Sequence, residues 1–342
     1  METKEKLQKL VLTELETEKA IDLVKSTFSK KLANSLSLVK VEAPLFVKRG
    51  TGINDDLNGI ETPVEVKIKS LPHQKVEIIH SLAKWKRSKI GRLKLQIERG
   101  IYTDMKAIRT DEVLSELHSI LVDQWDWEKR IAKEDRTLDY LKSTVSKIYS
   151  SLKETQSVVL EKYPNLTQSL PEDIYYIHSQ DLLDLYPDLS SKEREYQITK
   201  KYGAVFIIGV GAKLSNGEPH DGRAPDYDDW STENSDGKIG LNGDILIWSD
   251  ALKKQIEISS MGIRVCPESL KRQLEISKNE DRLNLEWHKL LTSEELPYTI
   301  GGGIGQSRLT MLLLGKKHIS EVQCSIWTDD IVSEDGKTIN IL

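Results

Sequence analysis

The order of segments in this 342-residue chain predicts an α+β fold, a mainly antiparallel sheet flanked by helices. Two observations carry that prediction. Strand-like stretches arrive in runs, with helical stretches segregated between them. The stretches IYTDMKAIR (101–109) and HSILVDQWDW (118–127) are joined by a charged link, TDEVLSEL, that is too short for a parallel crossover of about a dozen residues.

The elements follow in chain order. Residues 15 to 36 carry Ile21, Val24, Phe28 and Leu32 at helical spacing between lysines and glutamates, which predicts an amphipathic helix with one buried stripe. LSLVKVEAPL (36–45) reads as a strand, and Pro44 near its end puts it at an edge or a bend. VEVKIK (64–69) alternates as a strand does, and VEIIHS (76–81) follows a turn. After the pair at 101–127 comes a long helical stretch from about 132 to 163, with smaller helices near 179–186 and 190–201. AVFIIGV (204–210), LNGDILIW (241–248) and QIEISSMGIRV (255–265) are strands separated by a polar loop. A helix begins within or just after GGGIGQSR and runs through LTMLLL. Without repeats, heptads or a low-complexity linker, residues 1–342 read as a single catalytic domain, and 132–202 as a helical insertion in it.

Composition narrows the function classes. Forty-nine basic against fifty-four acidic residues give a net charge of −5, which is not the footprint of a protein that lives on nucleic-acid phosphates. The start METKEKLQKL lacks an apolar signal region, and no long apolar run suggests a membrane span, so the cytoplasm is the expected location. Two cysteines, Cys266 and Cys324, with no CxxC pair, signal neither a disulfide framework nor a zinc site.

Several residues have the chemistry of a nucleotide site, each with a bland alternative. GGGIGQSR (301–308) lets backbone N–H groups and Arg308 approach a nucleotide, yet it lacks the lysine of a P-loop and reads as readily as a structural turn. Arg109 ends a strand in a polar loop, as a site cation or a surface arginine. Gln124 and Asp126 share strand parity, opposite Asp123, Trp125 and Trp127, and face an open polar pocket or a solvent edge. Glu257 and Ser259 alternate with Ile256 and Ile258 and so share a face, and Glu257 with Ser260 offers oxygen ligands to Mg²⁺. HDGRAPDYDDW (220–230) sets Arg223 beside four aspartates, as a hydrophilic loop or a substrate lid. HSLAKWKR (80–87) combines Ser81, a helix N-cap candidate, with Lys86.

Taken together in order, VEAPL with Pro44, IRTDE with Arg109 and GGGIGQSR with Arg308 resemble the three motifs of class II aminoacyl-tRNA synthetases. The runs HSLAKWKR, VDQWDWE, GAVFIIGVG, RAPDYDDW, LNGDILIW, SSMGIRV, DRLNLEWH and TIGGGIGQSRLTMLLL, from about residue 18 to 328, are more similar still to the ammonia-dependent asparagine synthetases, the aspartate-ammonia ligases. That resemblance implies a class II catalytic domain without an anticodon-binding module, a homodimer with Pro44 at its interface, and no nucleic-acid partner. It implies a reaction of aspartate, ATP and ammonia, with Mg²⁺, through a β-aspartyl adenylate to asparagine, AMP and pyrophosphate. Carried over by position, Arg109 holds the α-phosphate and the adenylate carbonyl, and Arg308 lies against the adenine or terminal phosphates. Glu257 and Ser260 match metal positions, with Asp244 assisting, and Ser259 and Arg264 fall with the nucleotide residues. Lys86 grips a substrate carboxylate, here the α-carboxylate, in a pocket walled by Ser81, Asp55, Gln124, Asp126, Arg223, Ser260 and Asp228. Asp55 or Asp228 takes the proton from ammonium. No glutaminase cysteine or catalytic histidine stands out, so free ammonia is the expected nitrogen donor. The N-terminus is somewhat longer than in the family, residues 92–99 are more basic and the tail after 328 diverges. Two rival readings are an asparaginyl- or aspartyl-tRNA synthetase-like enzyme and a non-catalytic paralogue that senses an amino acid. The first would need an anticodon-reading module. The second would be expected to lose Arg109, Arg308 or Glu257, and all three are present.

Overall fold

The computed structural model describes residues 12–54 and 61–328. Helix α1 (Glu14–Leu36) starts on a capping box made by Thr13 and Glu16 and buries Ala20, Val24, Phe28 and Leu32, the stripe predicted from spacing. Phe28 lies against Trp125, ring centroids 4.7 Å apart, so this helix covers one face of the sheet.

The main sheet has eight strands. In chain order they are β1 (Leu38–Lys40), β5 (Gly100–Ile108), β6 (Leu121–Arg130), β7 (Tyr175–His178), β8 (Ala204–Ile208), β9 (Asn242–Ser249), β10 (Lys254–Ile263) and β11 (Thr299–Gly305). Their spatial order is β1-β5-β6-β11-β10-β9-β8-β7. The interior pairs are antiparallel, as the short link after 109 required, while β1 and β7 join the edges in parallel to β5 and β8. The parallel β7–β8 pair went unforeseen. Its crossover is made by α4 (Ser179–Leu185) and α5 (Ser191–Tyr202), long enough to turn the chain back.

A small second sheet, β2 (Phe46–Lys48), β4 (Val76–Ile78) and β3 (Glu65–Val66), corrects the expected strand over 64–69. Only Glu65 and Val66 of that stretch pair in register with β4, with the Val64 carbonyl accepting from Ile78 N–H just before them, so alternation beyond residue 66 has no described ladder to join. The strand expected over 36–45 likewise stops at Lys40. The long helix α3 (Leu138–Lys162) begins at the Thr137 cap rather than at 132, and Arg136 just before it donates to the Arg264 carbonyl and to Asp229. Helix α2 (Ala83–Leu93) follows β4, and two helices not read from the sequence, α6 (Pro267–Ile276) and α7 (Glu286–Thr292), lie between β10 and β11. The last helix, α8 (Gln306–Leu313), leaves the end of β11.

The main core draws on residues from Ala20 to Val322, including Leu141, Ile148 and Leu152 of the stretch read as an insertion. That stretch therefore packs into the same core as the strands. Among the described residues no helix is long and apolar enough to cross a membrane.

Candidate active site

The glycine run at 301–305 is a strand, not a turn. β11 lies between β6 and β10, and its glycines make room for their side chains. A Cβ at 301 would collide with the Glu128 carboxylate and the Arg264 guanidinium, and one at 303 with the Gln124 amide. A strand without side chains thus becomes a floor over which long charged groups from both neighbours lie.

Strand parity on β6 is as read from the sequence. Trp125 and Trp127 are buried in the core, and Gln124 and Asp126 turn to the other face, where they line a cavity of about 720 Å³. Glu128, two residues further on that face, is fully buried and was overlooked, although the same alternation in DQWDWE pointed to it. Parity on β10 fails. A bulge between Glu257 and Ser259 shifts the register, so that Ser260 pairs with Asp244 and Ser259 with Ile245. Glu257 therefore shares its face with Ser260, not with Ser259. The Ser259 hydroxyl is buried without a partner among the described residues, and this residue borders the cavity at the bulge. The same bulge brings together the two residues expected to hold a metal.

The floor is an ion network. Lys86, in the first turn of α2, donates to the Asp126 carboxylate and to the carbonyls of Trp127 at 2.9 Å and Gly302 at 3.1 Å. All three of its N–H groups are taken. Burial forces Lys86 to satisfy every donor, and here the protein itself supplies the three acceptors. Burial also holds it below the usual lysine range. Arg264 donates through Nε and Nη2 to Glu128, at 3.1 and 2.8 Å, and through Nη1 to Asp228. Arg264, expected among the nucleotide residues, braces the floor. Burial pushes Asp228 above the ordinary carboxylate range, and burial works the same way on Glu128, which Arg264 and Lys86 nonetheless hold below it. Asp126 Oδ2 is buried and has no partner among the described residues.

The rim carries the other cations. Arg109, at the end of β5, reaches the His80 carbonyl at 3.5 Å while its Nε has no partner among the described residues. Arg308, in the first turn of α8, donates to the carbonyls of Leu117 at 3.3 Å and Glu257 at 3.2 Å, tying the loop after Arg109 to the bulge. Arg223 is paired with Asp244, and its Nε has no partner among the described residues. Burial raises Asp244 to about 7 even against Arg223. Ser81 lines the cavity, but the N-cap of α2 is Leu82, and the Ser81 hydroxyl accepts from the Ala83 N–H at 3.1 Å. His118, also on the cavity wall and half-buried, lies below the usual imidazole range through burial and Arg308; nothing in its sequence context marked it. Asp55 lies outside the described residues. The structure thus gathers Ser81, Lys86, Arg109, Gln124, Asp126, Arg223, Asp228, Glu257, Ser260, Arg264 and Arg308 around one cavity, with Asp244 behind Arg223.

The comparisons with known proteins agree with this geometry. The aspartate-ammonia ligase family matches residues 15–338. An aspartate–ammonia ligase of Parabacteroides distasonis is 53% identical over 326 residues, covering 95% of this chain and 94% of that one. One from Clostridium perfringens is 53% identical over 324 residues, with the same coverage of 95% and 94%. Among solved structures, asparaginyl-tRNA synthetase from Pyrococcus horikoshii complexed with asparaginyl-adenylate has a TM-score of 0.66 at 16% identity, over 90% of this chain and 68% of that one. The Entamoeba histolytica asparaginyl-tRNA synthetase in complex with asparaginyl-adenylate has a TM-score of 0.65 at 16% identity, and the match spans 91% of this chain and 66% of that longer one. Likeness at such identity speaks for the fold, the class II aminoacyl-tRNA synthetase catalytic domain. The identity over nearly full length to the ligases speaks for kinship, and this chain belongs to the aspartate-ammonia ligase family.

Proposed function

We propose that this protein makes asparagine from aspartate and ammonia by spending ATP, as a single catalytic domain that works in the cytoplasm as a homodimer. In the first step a β-carboxylate oxygen of aspartate attacks the α-phosphorus of ATP. The bond to the β,γ-phosphates breaks and pyrophosphate leaves. In the second, the nitrogen of ammonia attacks the β-carbonyl carbon, the bond to the AMP oxygen breaks, and the nitrogen loses a proton.

The observation that carries this reading is the division of charge in the cavity. Arg109, Arg308 and Arg223 stand at the rim, where phosphate charge would lie, and the unpartnered Asp126 Oδ2 lies on the floor, where an ammonium group would be received. Lys86 exchanges Asp126 for the substrate α-carboxylate, and Asp126 then turns fully to the substrate ammonium. Gln124, Ser81 and Ser260 complete that pocket. Asp228, raised by burial, suits a carboxylate that accepts the proton, with Asp55 as the other candidate.

Glu257 and Ser260, on one face through the bulge, fit a magnesium ion, which takes a carboxylate or two and completes its shell with phosphate oxygens and water. Glu257 forms no ion pair among the described residues, unlike Asp126, Glu128, Asp228 and Asp244. A magnesium ion there would neutralise phosphate charge. The dimer reading rests on β1, an edge strand, and on exposed Val39, Leu45 and Phe46 around Pro44.

The test is product accounting with ammonium, glutamine or no nitrogen donor. Asparagine formed one for one with AMP, and with ammonium only, supports the reading. ATP use only in the presence of tRNA, or none at all, overturns it.

A further inference from the structure

Asp123 has the strand parity of Trp125 and Trp127, which pack into the core, and like them it is buried. A carboxylate in such a place is costly unless its partners offset the desolvation, so the partners say what it is for. Oδ1 accepts from the backbone N–H of Ser307 at 3.1 Å, and Oδ2 accepts from the Ser307 hydroxyl at 2.8 Å. Lys25 of α1 donates to Oδ2 at 3.2 Å and meets the charge. Gln323 closes the group, with Nε2 donating to Ser307 Oγ at 3.0 Å, to the Leu121 carbonyl at 3.1 Å and to Asp123 Oδ1 at 3.4 Å. Four segments of the chain thus converge on the first turn of α8.

The contact stands where a ladder ends. β11 pairs with β6 as far as Gly305 opposite Gln124, and the next residue along β6 is Asp123. On the other strand α8 begins at the very next residue, with no loop between, and its N-cap position is Gly305, which has no side chain to cap with. Asp123 supplies the cap from the neighbouring strand. It takes the N–H of the second helical residue, the group an N-cap side chain would bond, and sets a negative charge at the helix start. Arg308 follows directly. Its stem lies over Gly305, where a Cβ would sit 3.3 Å from Arg308 Cβ, and its guanidinium reaches the Leu117 and Glu257 carbonyls at the cavity wall. Where Arg308 points therefore depends on the angle at which α8 leaves β11, and Asp123 pins that angle.

We propose that Asp123 is a positioning residue of the nucleotide site: by capping α8 from the adjacent strand it aims Arg308 at ATP, and it acts on ATP only through Arg308. The assignment rests on the functional reading above, and the two fail on different measurements. Aspartate-dependent ATP–pyrophosphate exchange gives the KM of each substrate. Asp123→Ala is expected to raise the ATP KM about tenfold, the worth of one hydrogen bond to a charged group, and to leave the aspartate KM within about twofold of wild type. Asp123→Asn keeps an acceptor for the Ser307 N–H and is expected to bring the ATP KM back to within about threefold. In an Arg308→Ala background, adding Asp123→Ala is expected to change the ATP KM by less than about twofold, because the cap has nothing left to aim. If Asp123→Ala does not fold, Ser307→Ala, which loses the hydroxyl bond but keeps a good helix former, is expected to raise the ATP KM about threefold, and again only while Arg308 is present. An unchanged ATP KM, an equal rise in both KM values, or a full additional effect on top of Arg308→Ala overturns the assignment and leaves Asp123 a brace of the core. Arg308→Ala with the wild-type ATP KM, or wild-type protein without aspartate-dependent exchange, would sink the functional reading and the assignment with it.

Discussion

Lys84 and Lys86 stand two residues apart in the first turn of one helix and so leave it on different sides. Both are buried and both meet an aspartate, yet the clusters they join differ in place and partners. Around Lys86 and Arg264 stand three carboxylates, Asp126, Glu128 and Asp228, so the floor of the large cavity keeps one negative charge in excess. Around Asp226 stand Lys84, Arg282 and His288, so one carboxylate ties three segments of the chain together behind the floor. Both clusters brace the fold. Their place decides what each does: the floor meets the substrate cavity, where an acidic excess suits a substrate ammonium, and the rear cluster holds the segments behind it.

The sharpest way to break this contrast is to remove the brace of the floor. Arg264→Met strands Glu128 and Asp228 inside the protein and is expected to cost about 3–5 kcal/mol in urea unfolding. A loss below about 1 kcal/mol would mean that the floor is not held by charge. Next in size, Lys86→Ala is expected to raise the aspartate KM about 10–100-fold, the worth of a charged hydrogen bond, with little change in the ATP KM. Lys84→Ala should leave the aspartate KM near wild type, and equal effects of the two substitutions would erase the distinction. Gly301→Ala forces a methyl group against Glu128 and Arg264 and is expected to destabilise by about 1–3 kcal/mol with loss of exchange activity.

The smallest effect concerns pH. Asp244 is raised by burial to about 7 in the folded chain, so between its ordinary value and about 7 the folded state binds more protons than the unfolded one. Its contribution to stability therefore falls as pH rises through that window. The Tm of wild type relative to Asp244→Asn is expected to increase as pH is lowered from about 8 to about 5. A difference that stays flat with pH would show that Arg223 keeps Asp244 ionised throughout.

What the sequence made legible depended on periodicity. The helix at 14–36, the antiparallel pair at 100–130 and the facing of Gln124 and Asp126 all follow from spacing that a regular element preserves. Spacing failed where regularity breaks. The bulge after Glu257 moved Ser259 off the expected face, and no residue type announces a bulge. The glycines at 301–303 read as a turn because their role, to leave space for Glu128, Arg264 and Gln124, exists only once three strands are side by side. The spent donors of Lys86 and the Asp226–His288 contact join residues 40 and 62 positions apart, and no local pattern carries that information. Resemblance to a family supplied the gathering of the site, and the coordinates supplied its charge balance.

The central claim is that aspartate is activated as an acyl adenylate over this floor. The most direct measurement uses aspartate labelled with oxygen-18 in its β-carboxylate, with ATP and ammonium, and follows the label by mass spectrometry. One labelled oxygen per asparagine is expected in the phosphate of AMP, because a carboxylate oxygen bonds to phosphorus in the first step and ammonia then breaks the bond between that oxygen and the acyl carbon. Label in inorganic phosphate with ADP as product, or AMP without label, would contradict the account.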